Sequence, residues 1–206
     1  MLKVGIEGPC CAGKTTLGHS LAQELSRLKI GYVKDYSDYV GGGKFLPPPL
    51  PSSIREEEKS LEIFLEIEDI RVRDIRSRQS DLQIALIDRS IHCLLAHCRG
   101  LENIKGMGYG YLASARKIIE RSSIPVWPNF MLYLDVSDNI IRTRNKGKFE
   151  PDSIYMDACF NEGIRSYYHE LACLGCNTII WLDASCDPTM LCEDAKTSIM
   201  RQLDPT

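Results

Sequence analysis

The stretch IEGPCCAGKTT, Ile6 to Thr16, is the part of the sequence richest in residues that could do chemistry. Gly8, Gly13, Lys14 and Thr15 stand in the order G-x-x-x-x-G-K-[ST], with Pro9, Cys10, Cys11 and Ala12 between the glycines and Thr16 following. That order suits an oligophosphate. Glycines let the chain curl around phosphoryl oxygens without a Cβ clash. The N–H groups of such a loop, and of the helix it opens, point at the anion. Lys14 would put its charge on the β- and γ-phosphates, and the Thr15 hydroxyl can ligate Mg²⁺. An apolar run precedes the stretch and a helical one follows, which is the context such a loop needs. Gly8 through Thr16 are therefore expected to hold a nucleoside triphosphate.

A phosphate loop does not by itself set the reaction, because kinases, GTPase switches and ATP motors all carry one. A guanine-specific switch needs Asn-Lys-x-Asp after a later strand. Asn145-Lys146-Gly147-Lys148 lacks the aspartate and follows a helical run. Asp38 and Gly41 match the D-x-x-G spacing, which is common by chance.

Other residues supply candidates for the remaining chemistry. Asp88 closes an apolar run, so its carboxylate would emerge beside the loop and hold a water of the Mg²⁺ shell, or else cap a helix. Arg89 would then project between donor and acceptor, where a guanidinium bridges phosphoryl oxygens, or lie on the surface. The segment RTRNKGKFEPD, 142–152, brings Arg142, Arg144, Lys146 and Lys148 together. Four cations suit a lid closing on phosphates, because phosphoryl transfer relies on positioning and charge; a solvated charged loop is the alternative. Leu61, Phe64, Glu68, Arg71 and Ile75 recur at helical spacing and share one stripe. Glu68 and Arg71 interrupt that apolar face three residues apart and can pair. Asp35 lies just past the second apolar run, as a base for an acceptor hydroxyl or as a turn residue. Lys34, beside it, could help bind an acceptor phosphate.

The elements that must position these residues alternate. Apolar runs at 2–7, 30–34, 82–87, 130–136 and 178–182 are near-continuous rather than alternating, which suits parallel strands covered on both faces. Helical stretches fall between them at 14–28, 52–79, 90–101, 111–122, 138–143, 153–174 and 188–203. Strand–helix alternation predicts an open parallel α/β sheet with ligands at the carboxyl ends of the strands. The segment 40–53, VGGGKFLPPPLPSS, cannot be regular structure and is expected to be a mobile loop over the acceptor side, within a region spanning 36–53, or else an inert insertion.

Composition narrows the classes. With 206 residues and 44% apolar content the chain is one domain, 1–206. A net charge of −3 and a pI near 5.8 give no global field for nucleic acid or an anionic membrane, so neither partner is expected. No run approaches the roughly 20 apolar residues that span a bilayer. The N-terminus has no basic-then-apolar signal region, so a reducing cytoplasm is the expected compartment. Nine cysteines build no framework, and the single Cys173-Leu-Gly-Cys176 pair falls where a helix should end. All nine are read as small buried hydrophobes.

Four stretches in order resemble the thymidylate kinase branch of the nucleoside and nucleotide kinases. IEGPCCAGKTT is similar to the E-G-x-D-G-x-G-K-[ST]-T loop, Glu7 included. LIDRSIHCLLAHCRG resembles D-R-Y-x-x-S-x-x-A-Y-Q-G, with Asp88, Arg89 and Ala96 in place. FNEGIRSYYHELA is similar to F-x-x-x-V-R-x-x-Y-x-x-L-A through Phe160, Arg165, Tyr168, Leu171 and Ala172. IWLDASCDP looks like the closing strand and the I-D-A-S loop against the adenine, which brings in Ser185. The resemblance implies a three-layer α/β/α fold of the P-loop NTPase type, with a five-stranded parallel sheet and a helical lid. It implies ATP and Mg²⁺, transfer of the γ-phosphoryl group to a nucleoside or its monophosphate, and a possible homodimer. It also implies that Arg71, oriented by Glu68, reaches the acceptor, with Glu7 and Arg89 on the same side.

The chain departs from that pattern at four places. Asp152-Ser-Ile-Tyr155 replaces D-R-x-E at the lid helix, and Lys34-Asp35-Tyr36 replaces Arg-Glu-Pro. Cys10 stands where an aspartate contacts the acceptor sugar, a contact that Asp38 or Tyr39 could take over. His97 and Cys98 replace the Tyr-Gln of the thymine side. The expected function is phosphoryl transfer to a nucleoside monophosphate. The alternatives are a nucleoside kinase with Asp35 as base, and an ATP-binding regulatory protein without acceptor chemistry.

Overall fold

The computed structural model describes residues 1–78, 80–104, 107–175 and 178–203. Five strands, β1 (Leu2–Glu7), β2 (Ile30–Val33), β3 (Ile84–Asp88), β4 (Phe130–Asp135) and β5 (Thr178–Asp183), form one parallel sheet in the order β2-β3-β1-β4-β5. The inner strands explain the continuous apolar runs. Every residue of β3 is buried, as are the last four of β1 and the first five of β4, because helices cover both faces.

Among the described residues eight α-helices connect or flank the strands: α1 (Lys14–Glu24), α2 (Tyr36–Tyr39), α3 (Ile54–Ser77), α4 (His92–Asn103), α5 (Tyr111–Arg121), α6 (Asp138–Asn145), α7 (Ala158–Cys173) and α8 (Pro188–Leu203). α1 and α8 cover one face through Leu17, Leu21, Leu191 and Ile199, packed on Val4, Ile6, Leu132 and Leu134. α3, α4, α5 and α7 cover the other through Leu61, Leu65, Leu94, Leu112, Tyr167 and Tyr168, packed on Met131 and Tyr133. This is a three-layer α/β/α fold.

Register sets the level of the chemistry. Ile6 stands beside Asp88, and Val33 beside Ile87, so β1, β2 and β3 all finish at one edge. The phosphate loop, Asp35 and the Asp88–Arg89 turn leave the sheet together there, at the strands' carboxyl ends.

Local chemistry moves some element boundaries. α7 starts later than the pattern predicts, because Ile154–Met156 form a 3-10 turn and the Asp157 carboxylate accepts from Phe160 N–H at 2.9 Å as an N-cap. The segment expected to be irregular contains a 3-10 turn at Gly43–Phe45, and α2 precedes it. α3 ends at Ser77; the predicted end, Gln79, lies outside the described residues. Cys173 and Cys159 are exposed rather than buried, while Cys176 lies outside the described residues. Among the described residues no helix is long and apolar enough to cross a membrane.

Candidate active site

The turn after β1 is built for close approach. Gly8 has φ of 132°, and a Cβ there would sit 2.6 Å from the Leu134 carbonyl oxygen. Only glycine fits both demands. Gly13 takes a left-handed conformation immediately before α1, so the N-terminal amides of that helix open onto a cleft of ≈ 390 Å³. Cys11 through Thr16 line this cleft. Lys14 is 5% exposed and donates to the carbonyls of Gly8 (3.0 Å) and Pro9 (2.6 Å). Burial, and then the charge of Arg89, push its ammonium below the ordinary lysine range. An anion in the loop would relieve both effects.

Asp88 ends β3 with no exposure. Its Oδ2 accepts from the Thr15 hydroxyl at 2.6 Å and from the Tyr32 hydroxyl at 2.9 Å. Its Oδ1 is buried and has no hydrogen-bond partner among the described residues. A hydroxyl beside a carboxylate with one orphan oxygen is an all-oxygen donor set that fits a hydrated Mg²⁺. Tyr32 was not anticipated. Burial and the Asp88 charge hold its hydroxyl protonated, hence a donor. Its ring lies over Gly18 of α1, where a Cβ would come within 2.4 Å of Cε2.

The opposite wall carries an ion pair. Arg89 has φ of 61° and turns its side chain back across the loop. Nε donates to Asp35 Oδ2 at 2.8 Å and Nη2 to the Cys10 sulfur at 3.3 Å. Both Asp35 and Arg89 line the same cleft. Burial raises the Asp35 pKa, but Arg89, Lys14 and the Ser37 N–H together outweigh it and hold the carboxyl below its usual range. Asp35 is also the N-cap of α2, so the base and turn readings describe one residue. Cys10, which replaces the resembling family's sugar-contacting aspartate, accepts from Arg89. Tyr39 reaches Asp74 at 3.4 Å, and Asp38 is exposed.

Several expected ligands sit elsewhere. Arg71 is 1% exposed and both its terminal nitrogens are engaged: Nη1 donates to Glu68 at 2.7 Å, and Nη2 to the carbonyls of Asp88 (2.9 Å) and Arg89 (2.7 Å), while Nε is buried with no hydrogen-bond partner among the described residues. It therefore does not project toward an acceptor, and Glu68 is its buried counter-ion. Glu7 is fully buried, with Oε1 accepting from Ser90 N–H and Oε2 from the Tyr168 hydroxyl, both at 2.8 Å. It ties β1 to the turn after β3 and to α7, fully buried and outside the lining of the cleft. Arg165 binds Asp135 at 3.1 Å and Glu162 at 2.6 Å, away from the cleft.

Of the four cations at 142–152, Arg144 and Lys148 line the cleft, and Arg144 donates to the Ala12 carbonyl at 3.4 Å. Arg142 instead braces the 3-10 turn through the Met156 carbonyl at 3.2 Å. Past β5 the neighbours of Ser185 face this cleft: Ala184 and Cys186 line it with Pro188 and Leu191 of α8. Ser185 lies along a separate open cleft and bonds Asp183 through its N–H and hydroxyl.

These features define a class by fold: a parallel 2-3-1-4-5 sheet with a phosphate loop after its central strand is the three-layer fold of the P-loop kinases. No protein-family model matches the chain, and no curated protein matches it. Among solved structures it is similar to a deoxyadenosine kinase from M. mycoides with bound dATP, at a TM-score of 0.66 and 16% identity. The match covers 96% of this chain and 99% of that one, so the shared fold extends over nearly the whole molecule.

Proposed function

We propose that the protein is an ATP-dependent kinase that phosphorylates the 5′-hydroxyl of a nucleoside. The carrying observation is the Asp35–Arg89 pair at 2.8 Å on the wall of the cleft that holds Lys14. A hydroxyl must lose its proton as it attacks, and a carboxylate within reach supplies the base. Asp35 is ionised at neutral pH, its free lone pairs accept that proton, and Arg89 holds its orientation while facing the transferring group. Lys14, Arg144 and Lys148 supply the charge that phosphoryl transfer needs in place of covalent chemistry. Thr15 and Asp88 would hold Mg²⁺, which when bound neutralises charge on the β- and γ-phosphates.

A monophosphate acceptor, expected first from the sequence, finds less support. It is already anionic and needs cations rather than a base. Arg71 is consumed by Glu68 and two carbonyls, and Arg89 is already paired with a carboxylate. The similar deoxyadenosine kinase gives the nucleoside reading a precedent on this fold. Residues 1–206 act in this reading as one kinase domain, with 142–152 as the lid and 36–53 beside the acceptor. The test is ADP production with a panel of nucleosides and monophosphates. Turnover with nucleosides supports the reading; a response confined to monophosphates contradicts it.

A further inference from the structure

Arg71 is a cation sealed under the site. It comes from the middle of α3, sits below the carboxyl ends of β2 and β3, and among the described residues has Glu68, itself buried, as its one carboxylate partner. A buried charge persists only where hydrogen bonds and a counter-ion compensate it. Here one nitrogen, Nη2, grips two successive carbonyls, those of Asp88 and Arg89. Those carbonyls belong to the peptide planes on either side of the Arg89 Cα. Fixing both planes fixes the backbone dihedrals of Arg89, which stand at the left-handed φ of 61° that a non-glycine residue avoids. The flat face of the same guanidinium lies 3.9 Å from the ring centre of Tyr36, the residue after Asp35. One side chain thus touches the backbone of Arg89 and the ring of the residue that follows Asp35.

We propose that Arg71 is a positioning residue, clamping the strained Arg89 turn and the Asp35–Tyr36 turn so that Arg89 and Asp35 meet across the phosphate loop. Its chemistry depends on arginine. A lysine ammonium in the same place could reach the two carbonyls or Glu68 but has no planar face for Tyr36 and no forked donors. Glu68 completes the clamp by orienting Nη1.

The inference rests on the nucleoside kinase reading for its kinetic consequence but not for its structural one, and the experiment separates them. Wild type, Arg71→Lys, Arg71→Met and Glu68→Gln are compared for ATP affinity, for kcat and acceptor KM, and for amide hydrogen exchange over residues 86–93. Arg71→Met, which keeps the volume, should lose about 100-fold in kcat, the scale set by a misplacement of roughly 1 Å. ATP affinity measured without Mg²⁺ should stay within about threefold, because Lys14 is held by the Gly8 and Pro9 carbonyls rather than by the turn that Arg71 grips. Exchange over 86–93 should accelerate in both Arg71 variants. Arg71→Lys should recover only part of the rate. Glu68→Gln, the mildest change, should lose about 10-fold in kcat if Arg71→Met does not fold. An unchanged kcat with a 100-fold higher acceptor KM would make Arg71 a ligand and overturn the proposal. Unchanged exchange over 86–93, or a wild-type kcat in Glu68→Gln, would overturn it as well. Absence of any acceptor-dependent turnover in wild type counts against the kinase reading, and the exchange data then decide the clamp alone.

Discussion

Asp35, Arg89 and Cys10 form a chain of contacts across the mouth of the phosphate loop. The pair is half-buried, so its worth to stability is small, and its worth to chemistry is orientation. The sign of its pH dependence follows from the charges around it. Burial alone would raise the Asp35 pKa, but Arg89 and Lys14 outweigh it, and the carboxyl stays ionised below the usual carboxylate range. A base must be ionised to work, so kcat/KM should stay flat from about pH 8 to about pH 5 and fall only below the normal aspartate range near 4. A pH–rate profile with an acid limb between about 6 and 7 would assign the base to another group.

At the scale of elements, the metal-side geometry depends on α1, β2 and β3 meeting without slack. Tyr32 leaves β2, crosses over Gly18 of α1 and donates to Asp88 at the end of β3. Gly18→Ala puts a Cβ 2.4 Å from the Tyr32 ring, so the ring must move and the hydroxyl contact goes with it. Urea unfolding should show a loss of about 1–3 kcal/mol, the usual cost of overpacking, with weaker ATP binding in the presence of Mg²⁺. Tyr32→Phe should weaken that binding with little change in stability; normal Mg²⁺-dependent affinity in both variants would remove Tyr32 from the site. What the sequence makes legible follows the same division. Gly8, Gly13, Lys14 and Thr15 act through local backbone and are readable as a pattern. The Glu68–Arg71 pair is readable from helical spacing, but the direction in which Arg71 points is not, because the carbonyls it grips lie 17 and 18 residues away. Tyr32 escapes notice for a similar reason: its partner is 56 residues distant and its space is a missing Cβ on a third element. Around Ser185 the sequence marks the loop but not the orientation of each side chain: Ala184 and Cys186 line the phosphate-loop cleft and Ser185 the neighbouring one.

At the scale of the whole molecule, the two faces of the sheet differ. The α1–α8 face is an apolar core under the phosphate-loop cleft, whereas the α3–α4–α5 face buries charge. Glu57 is buried with a thiol, Cys98, as its hydrogen-bond donor at 3.4 Å. Burial raises its pKa to about 7 from the ordinary 4.5. The folded state therefore holds an extra proton between these values, and the contribution of Glu57 to stability, full below pH 4.5, is lost as pH rises through 7. Glu57→Gln should stabilise the protein at pH 8 by on the order of 1 kcal/mol or more and leave it nearly unchanged at pH 4.5; equal effects at both pH values would contradict the assignment. The function proposed for the assembled site reduces to one comparison, the nucleoside-dependent ADP production of wild type and Asp35→Asn at saturating Mg-ATP. The account predicts a loss of about 10²–10⁴-fold with ATP affinity retained. A variant that phosphorylates nucleosides at the wild-type rate would contradict it.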